Sequence, residues 1–325
     1  MNDRREQIGA MLTGDVLEIG PGGSPFPTSQ GASVKYVDRS VQGGRDANWP
    51  ELVGNPPGIN ADFDLHLDVD GLSPIAESSF DVIIASHLLE HLANPIKAIC
   101  EFERVLRPGG KMVLLLPNRT STFDAVREPT KLSHILSEYH ENVTEVSDAH
   151  LTEFCNAIYK QDPIHPEQVR EWHNPDKLDA ELFELHRRRS IHVHCWSQEE
   201  FASLVVGLLA QGLISFKLND LYFMEDSHGG WEFGLVLERA PKSALPKDIS
   251  INFINEYVSA VMKRGCIKRE VQIIAKLQLA LCRDANEICY LSDLIDVSAS
   301  QLLNHLSTTG SPWQKIVKAV RQFLK

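Results

Sequence analysis

Two nearly unbroken apolar stretches, SFDVIIAS at 79–86 and KMVLLLPN at 111–118, constrain the fold of this chain more than any other feature. Because their apolar residues do not alternate with polar ones, both stretches are typical of strands buried on both faces of a sheet. The segment between them, 87–108, carries apolar residues at three- and four-residue spacing, which predicts a helix. Strands joined by helix-length crossovers predict a parallel sheet covered by helices.

Further strands are predicted on both sides of this pair. GDVLEIG, VKYVDR at 34–39 and FDLHLDV at 63–69 precede it, and the stretches 214–225 and 231–239 form an antiparallel hairpin after it. The predicted fold class is therefore α/β, with a doubly wound, mostly parallel, seven-stranded sheet that ends in an antiparallel hairpin. Such sheets bind ligands at the carboxyl ends of their strands.

Helices are predicted for much of the remaining chain. Pro95 marks a helix start with Asn94 as its N-cap, and Ser197 begins another helix in a capping box with Glu200. Residues 119–195 are polar, acidic and rich in histidine, and they contain no clear parallel strand. We expect this segment to form a mostly helical insertion or lid.

The first strand contains an acid, Glu18, and runs into a turn rich in glycine, within the sequence VLEIGPGG. Glycines between a strand and a helix let backbone N–H groups approach a ligand closely. Asp38 ends the second strand, where an acid accepts hydrogen bonds from both ribose hydroxyls of a nucleoside. Nicotinamide and flavin cofactors carry a pyrophosphate that Glu18 would repel, whereas an ammonium and a sulfonium gain from a nearby carboxylate. These residues favour S-adenosylmethionine.

At this point the sequence resembles the class I S-adenosylmethionine-dependent methyltransferases, of the methyltransferase type 11 kind. VLEIGPGG is similar to the first motif of that family, and VDRS carries the ribose-binding acid. LDVDGLSPIAESSFDVIIASHLLEHLANP and ERVLRPGGKMVLLLPN are similar to the regions of the third to fifth strands. The resemblance covers about 14–118 in sequence and 196–239 in topology. It implies an enzyme that transfers methyl groups, with S-adenosylmethionine as its cofactor and a Rossmann-like fold.

The resemblance also implies which residues bind the cofactor. These residues lie at the ends of the first four strands and are Glu18, Gly20, Gly22, Asp38, Asp68, Val69 and Ser86. The first three of them would surround the methionine part of the cofactor. Asp68 would accept a hydrogen bond from the adenine amino group, and the backbone of Val69 would contact the ring edge. Ser86 and His87 would lie beside the reacting sulfonium.

Methyl transfer to a hydroxyl is assisted by a general base, and histidine suits that role near neutral pH. His87 is the first candidate because of its position after the fourth strand. The other catalytic candidates are His192 and His194 in SIHVHCWS, whose side chains share a face if that segment is extended. Polar side chains and tryptophans in the insertion favour a small polar or glycan-like acceptor. A metal-assisted variant through 127–150 stays an alternative, but no metal site is predicted because no tight acidic pair is visible.

Two competing interpretations belong to other classes of protein. HLLEH at 87–91 matches HxxEH, a zinc peptidase pattern that requires both histidines on one helix face. The sequence offers no third zinc ligand, and a helix start follows immediately after HLLEH. The methyltransferase interpretation of this stretch is therefore preferred. A catalytically silent protein that binds S-adenosylmethionine and acts as a regulator or partner stays open as well.

Residues 1–240 are predicted to form the cofactor-binding domain, and 241–325 a helical C-terminal extension that ends in a basic amphipathic helix. Three interpretations of this extension stay open: packing on the catalytic domain or on a second subunit, contact with an anionic membrane surface, and DNA binding. The net charge of −12 argues against a general nucleic-acid binder, because neutralising phosphates needs a basic face.

The predicted location is the cytoplasm. The six cysteines are scattered without a disulfide framework, and the N-terminal segment is too polar for a secretion signal. Since there is no run of 18 apolar residues, no membrane-spanning segment is predicted.

Overall fold

A computed structural model describes residues 4–40, 58–161, 178–227, 229–241 and 244–263 of the chain. Seven strands form one sheet within these residues. In chain order they are β1 (Asp15–Ile19), β2 (Ser33–Asp38), β3 (Phe63–Asp64), β4 (Phe80–Ser86), β5 (Leu106–Pro117), β6 (Phe216–Tyr222) and β7 (Glu232–Arg239).

The order of the strands across the sheet is β3-β2-β1-β4-β5-β7-β6. All neighbours from β3 to β5 are parallel, whereas β7 is antiparallel to both β5 and β6. The predicted doubly wound sheet with a terminal hairpin is therefore confirmed. The direction of winding reverses between β1 and β4, so their carboxyl ends border the crevice in which such folds bind ligands.

Helices cover both faces of the sheet. They are α1 (Arg4–Gly9), α2 (Leu67–Asp70), α3 (Pro95–Val105), α4 (Leu132–His140), α5 (Asp148–Gln161), α6 (Ala180–Arg189), α7 (Gln198–Ala210) and α8 (Pro246–Lys263). On one face Ile8 of α1 packs with Val16 and Ile84 of the sheet, and the larger core, with α3, α7 and α8, lies on the other face. The apolar stretches are buried on both faces because each strand alternates between these two cores.

The predicted helix starts are confirmed. The side chain of Asn94 accepts a hydrogen bond from the backbone of Lys97, and Pro95 is the first residue of α3. Ser197 and Glu200 form the capping box of α7.

Three predicted boundaries differ from the structure. The strand predicted for 63–69 ends at Asp64, because residues after it turn into α2, where the Asp70 carboxylate accepts from the N–H of His66. The helix predicted for 87–108 is interrupted, since only the short 3-10 turn Leu89–His91 precedes α3. The fifth strand starts at Leu106 rather than at 111.

The described part of the insertion 119–195 is mostly helical, as predicted, and contains α4, α5 and α6. The first helix of the C-terminal extension, α8, packs on α7 and β6 and buries Phe253 and Tyr257 completely. The basic terminal helix lies outside the described residues, so its packing and partners stay predictions. Among the described residues, no helix is both long and apolar enough to cross a membrane.

Candidate active site

The glycine-rich turn after β1 leaves the main chain uncovered at the reversal point of the sheet. Gly20 has φ 68° and Gly22 has φ 54°, a left-handed conformation that glycine adopts without strain. The N–H of Gly20 donates to the carbonyl of Val37 at 2.8 Å, which ties the turn to β2. A Cβ on Gly20 would lie 3.2 Å from Leu88 Cδ1, whereas one on Gly22 would meet no atom of the described residues within 4 Å. Space therefore remains beside Gly22 for a ligand.

Glu18 is buried beneath this turn, with 2% of its surface exposed. Its Oε1 accepts the N–H of Phe26 at 2.8 Å, and its Oε2 has no hydrogen-bond partner among the described residues. Burial raises the pKa of Glu18 to about 7. A buried carboxylate oxygen without a partner suits a cationic ligand group, since pairing removes the cost of leaving it unsatisfied.

Asp38, the last residue of β2, lies at the same edge of the sheet. Ile19 and Val37 are paired in parallel register, so the turn after β1 and the carboxyl end of β2 are neighbours. The Oδ1 of Asp38 accepts the N–H of Arg39 at 2.8 Å, which fixes the carboxylate. This placement agrees with the predicted ribose contact, which stays a prediction.

Asp68 and Val69 both make hydrogen bonds within the chain, and the adenine contacts predicted for them stay predictions. Asp68 is buried, and its two oxygens accept the N–H groups of Ala93 and Asn94 at 3.1 and 3.0 Å. The N–H of Val69 donates to the carbonyl of His66 within α2. Asp68 therefore anchors the start of α3, and each of its oxygens already accepts one hydrogen bond from the main chain.

His87 follows β4 directly, with φ 53°. Its Nε2 lies 2.8 Å from Glu232 Oε2 and its Nδ1 lies 3.4 Å from Glu90 Oε1. Burial opposes protonation, but these two carboxylates outweigh it and raise the pKa of His87 to about 9. A histidine that is already protonated at neutral pH cannot accept a proton, so the geometry does not support His87 as the general base.

Glu232 and Arg5 were missed by sequence reasoning, although they hold the end of β4 in place. Glu232 is bonded to the guanidinium of Arg5, to the hydroxyl of Tyr222 and to His87. Arg5 also reaches the predicted cofactor residue Ser86, whose Oγ lies 3.5 Å from Arg5 Nη2. Because these residues come from three distant parts of the chain, no local pattern signals their association.

A second polar group lies beside this one, formed by Glu90, His91 and His192. One ligand-type atom from each lies within 4.8 Å of the others. Glu90 is 1% exposed and neither of its oxygens makes a hydrogen bond among the described residues. His91 Nδ1 lies 2.9 Å from the carbonyl of Ile191. The HxxEH helix itself does not form, because His87 precedes the 3-10 turn instead of sharing a helix face with His91.

Asp124 holds His192, and sequence reasoning missed it as well. The Nδ1 of His192 lies 2.6 Å from Asp124 Oδ2. Arg127 donates to Asp124 Oδ1 and to the carbonyl of His192, both at 2.7 Å, so one guanidinium fixes the acid and the histidine backbone together. An imidazole oriented by a buried carboxylate at one nitrogen can accept a proton at the other.

His194, the third catalytic candidate, faces elsewhere. It is fully buried and its ring stacks on Trp196 with the ring centroids 5.6 Å apart. Since no surface of His194 is exposed, the geometry does not support direct contact between its imidazole and an acceptor. The two histidines of SIHVHCWS therefore belong to different clusters.

A family model described as a methyltransferase domain matches residues 17–114. A ubiquinone biosynthesis O-methyltransferase of Xanthomonas oryzae pv. oryzae is 27% identical over 189 residues, which cover 54% of this chain and 69% of the relative. The relative of the same name from Maricaulis maris is 31% identical over 109 residues, covering 33% and 41%. A S-adenosylmethionine-dependent methyltransferase structure from Methanosarcina mazei is 18% identical, with a TM-score of 0.37, and covers 74% of this chain and 100% of that one.

The matched residues contain the glycine turn, both strands that border the crevice and the buried acid beneath them. The unpaired Glu18 Oε2 suits the ammonium of S-adenosylmethionine, and the space beside Gly22 suits a close approach of the ligand to the main chain. Residues 17–114 therefore carry a methyltransferase domain, and the chain is a methyltransferase that uses S-adenosylmethionine as its cofactor.

Proposed function

We propose that this enzyme methylates an oxygen of a small, polar, glycan-like acceptor and that His192, oriented by Asp124, is the general base. The 2.6 Å contact between His192 Nδ1 and Asp124 Oδ2 carries the proposal. It leaves Nε2 of His192 to take the proton of an acceptor hydroxyl. His192 replaces His87 as the preferred base, because the carboxylates around His87 keep that ring protonated.

The surroundings of His192 support a hydrogen-bonding acceptor. Glu90 and His91 lie next to it, and Trp231, which is 41% exposed, stacks on the ring of His87 with the centroids 4.8 Å apart. Carboxylate and imidazole groups beside an exposed aromatic face suit a polyhydroxylated ring better than an apolar one. The relatives' names support oxygen as the methylated atom, since both are named O-methyltransferases.

The residues of the chain divide the work between binding and proton removal. When bound, S-adenosylmethionine supplies the electrophilic methyl group. Glu18 and the glycine turn hold and orient the cofactor, and Arg127 keeps Asp124 and His192 in register. His192 then removes the proton from the acceptor hydroxyl, which makes its oxygen a stronger nucleophile, while Asp124 stabilises the imidazolium that results.

The experiment measures transfer from radiolabelled S-adenosylmethionine to a panel of sugars, sugar nucleotides, catechols and amines. We expect product with a hydroxylated acceptor, and a loss of about 10²- to 10⁴-fold in kcat for His192→Gln and Asp124→Asn. The matched control is His140→Gln on α4, which should keep wild-type kcat. Cofactor affinity, measured by calorimetry, should change less than twofold in all three variants.

Three outcomes would contradict the proposal. Transfer only to amines would reject oxygen as the acceptor atom, and full activity in His192→Gln would reject the base. Tight cofactor binding without transfer to any member of the panel would favour the catalytically silent binding protein instead.

A further inference from the structure

The insertion brings together four ionisable side chains that the methyl-transfer site does not use. His134 and Glu138 lie on α4, one turn apart, and His150 lies in the first turn of α5. His194 joins them from the segment before α7. We call these four residues the histidine cluster.

The ligand-type atoms of the cluster have the spacing of a metal site. His134 Nε2 lies 3.2 Å from His150 Nε2. Glu138 Oε1 lies 3.3 Å from His134 Nε2 and 2.7 Å from His150 Nε2. Two ligands that each bind a tetrahedral zinc ion at about 2.0–2.1 Å lie about 3.3 Å apart. The three atoms therefore surround a point at bonding distance from all of them.

His194 supplies an independent observation. It is 0% exposed, and neither of its ring nitrogens makes a hydrogen bond among the described residues. Its Nε2 lies 3.4 Å from Glu138 Oε2, an oxygen that likewise makes no hydrogen bond there. A fully buried imidazole without a partner is costly, and a cation bound by the cluster would remove that cost.

We propose that the histidine cluster binds one zinc-type divalent transition-metal ion, with His134, Glu138 and His150 as ligands and His194 closing the site. Imidazole nitrogens with one carboxylate suit zinc and its neighbours and not calcium or magnesium, which prefer oxygen ligands. His194, whose Nε2 lies 3.4 Å from Glu138 Oε2, would supply the fourth ligand, and four protein ligands without an open position are typical of a structural ion.

The ion joins three separate parts of the chain. It links α4, the start of α5 and the segment 191–195, and it fixes them to the turn before α3, because Asn94 Nδ2 donates to the carbonyl of Glu138 at 3.2 Å. His192 lies two residues before His194, so the ion also fixes the residue proposed as the base. Metal removal should therefore weaken acceptor binding and leave cofactor affinity unchanged.

The test uses the full chain, purified without a histidine tag, and measures bound metals by plasma mass spectrometry. We expect about one zinc ion per chain in the wild type, and loss of that ion in His134→Ala and His150→Ala. His140→Ala, which removes a histidine of the same helix outside the cluster, should keep the ion. His192→Ala should keep it as well, which separates the cluster from the group formed by Glu90, His91 and His192.

Two further measurements do not depend on the variants folding. Cobalt added to the chelator-treated wild type should give the intense visible absorption of a tetrahedral site. Zinc at a hundredfold excess over its Kd should raise the Tm of the chelator-treated protein by about 4 °C.

An absence of bound metal together with an unchanged Tm on adding zinc would overturn the proposal. An ion lost in His192→Ala and kept in His134→Ala would also overturn it, because it would place the metal at the other group. Metal content and Tm are both measured without methyl transfer. A failure of the metal proposal can therefore be distinguished from a failure of the proposed methylation reaction.

Discussion

Glu18 gives the sharpest test of the cofactor site, because its carboxyl is buried beneath the glycine turn and titrates near neutral pH. Burial raises its pKa to about 7, so about one carboxyl in a hundred is ionised at pH 5 in the free protein. The ammonium of S-adenosylmethionine stays charged over this range, since α-amino groups titrate near pH 8. If the two groups pair, binding must first ionise Glu18 when the pH is low.

The affinity for S-adenosylmethionine should therefore rise about tenfold per pH unit from pH 5 and level off above about pH 7. A charge-assisted hydrogen bond contributes about 1.5–3 kcal/mol, so the total change is limited to about 10- to 150-fold. Glu18→Gln should bind more weakly by that amount at pH 7.5 and should show almost no pH dependence.

Calorimetric titrations between pH 5 and pH 7.5 measure both effects. Glu6→Gln is the matched control, because Glu6 is an exposed acid on α1, and it should keep the wild-type pH dependence. A pH slope that persists in Glu18→Gln would refute the pairing, as would a wild-type affinity that does not change with pH.

The same carboxyl should lower stability at alkaline pH. Its pKa is raised in the folded state, so the folded protein holds the proton more tightly than the unfolded chain, and stability falls as the pH rises from about 4.5 to about 7. Glu18→Gln should remove this loss, which amounts to at most roughly 3 kcal/mol, and raise the Tm at pH 8. A lower Tm in the variant at that pH would contradict the burial of an ionised group.

Three further predictions concern other parts of the fold. Glu232→Gln should lower stability at neutral pH. Despite burial, His87 and Arg5 hold the pKa of Glu232 at about 2, so its contribution of roughly 3 kcal/mol is present above pH 4.5 and is lost toward pH 2. Urea midpoints measured from pH 3 to pH 7 would reveal this dependence. Asp68→Asn should cost about 1–3 kcal/mol in urea unfolding and leave cofactor affinity within twofold, whereas a large loss of affinity would restore the adenine contact. Phe253→Ala should cost about 3–5 kcal/mol if α8 is part of the core, and a cost below about 1 kcal/mol would show that it is not.

The sequence was sufficient for the features that depend on neighbours along the chain. Continuous apolar runs identified β4 and β5, the glycine turn identified the crevice, and Asn94 and Ser197 marked helix starts through their own caps. Each of these signals is a periodicity or a cap within a few residues. The strand predicted through residue 69 was wrong because a local competitor exists, the carboxylate of Asp70, which accepts the N–H of His66 and closes the turn of α2.

The sequence was insufficient for pairs that meet only through the fold. Asp124 and His192 are 68 positions apart, and Arg5 and Glu232 are 227 apart, yet both pairs are joined by hydrogen bonds. No periodicity connects such residues, so the catalytic candidates could be chosen only by residue type and approximate position. Burial then separates the candidates, because it leaves His192 partly exposed and encloses His194 completely.

The segment 191–194 connects the histidine cluster to the group formed by Glu90, His91 and His192, so an ion bound in the cluster can affect the proposed base. The carbonyl of Ile191 lies 2.9 Å from His91 Nδ1, and the N–H of His194 donates to the carbonyl of Glu90 at 3.1 Å, so the segment is bonded along the turn after β4. His192 therefore takes its position from backbone bonds on both sides of it, both made to the turn after β4. An ion that holds His194 would restrict the motion of His192 without touching it. The two side chains enter different clusters, although they lie two positions apart, because the chain bends at 193–194 instead of continuing extended.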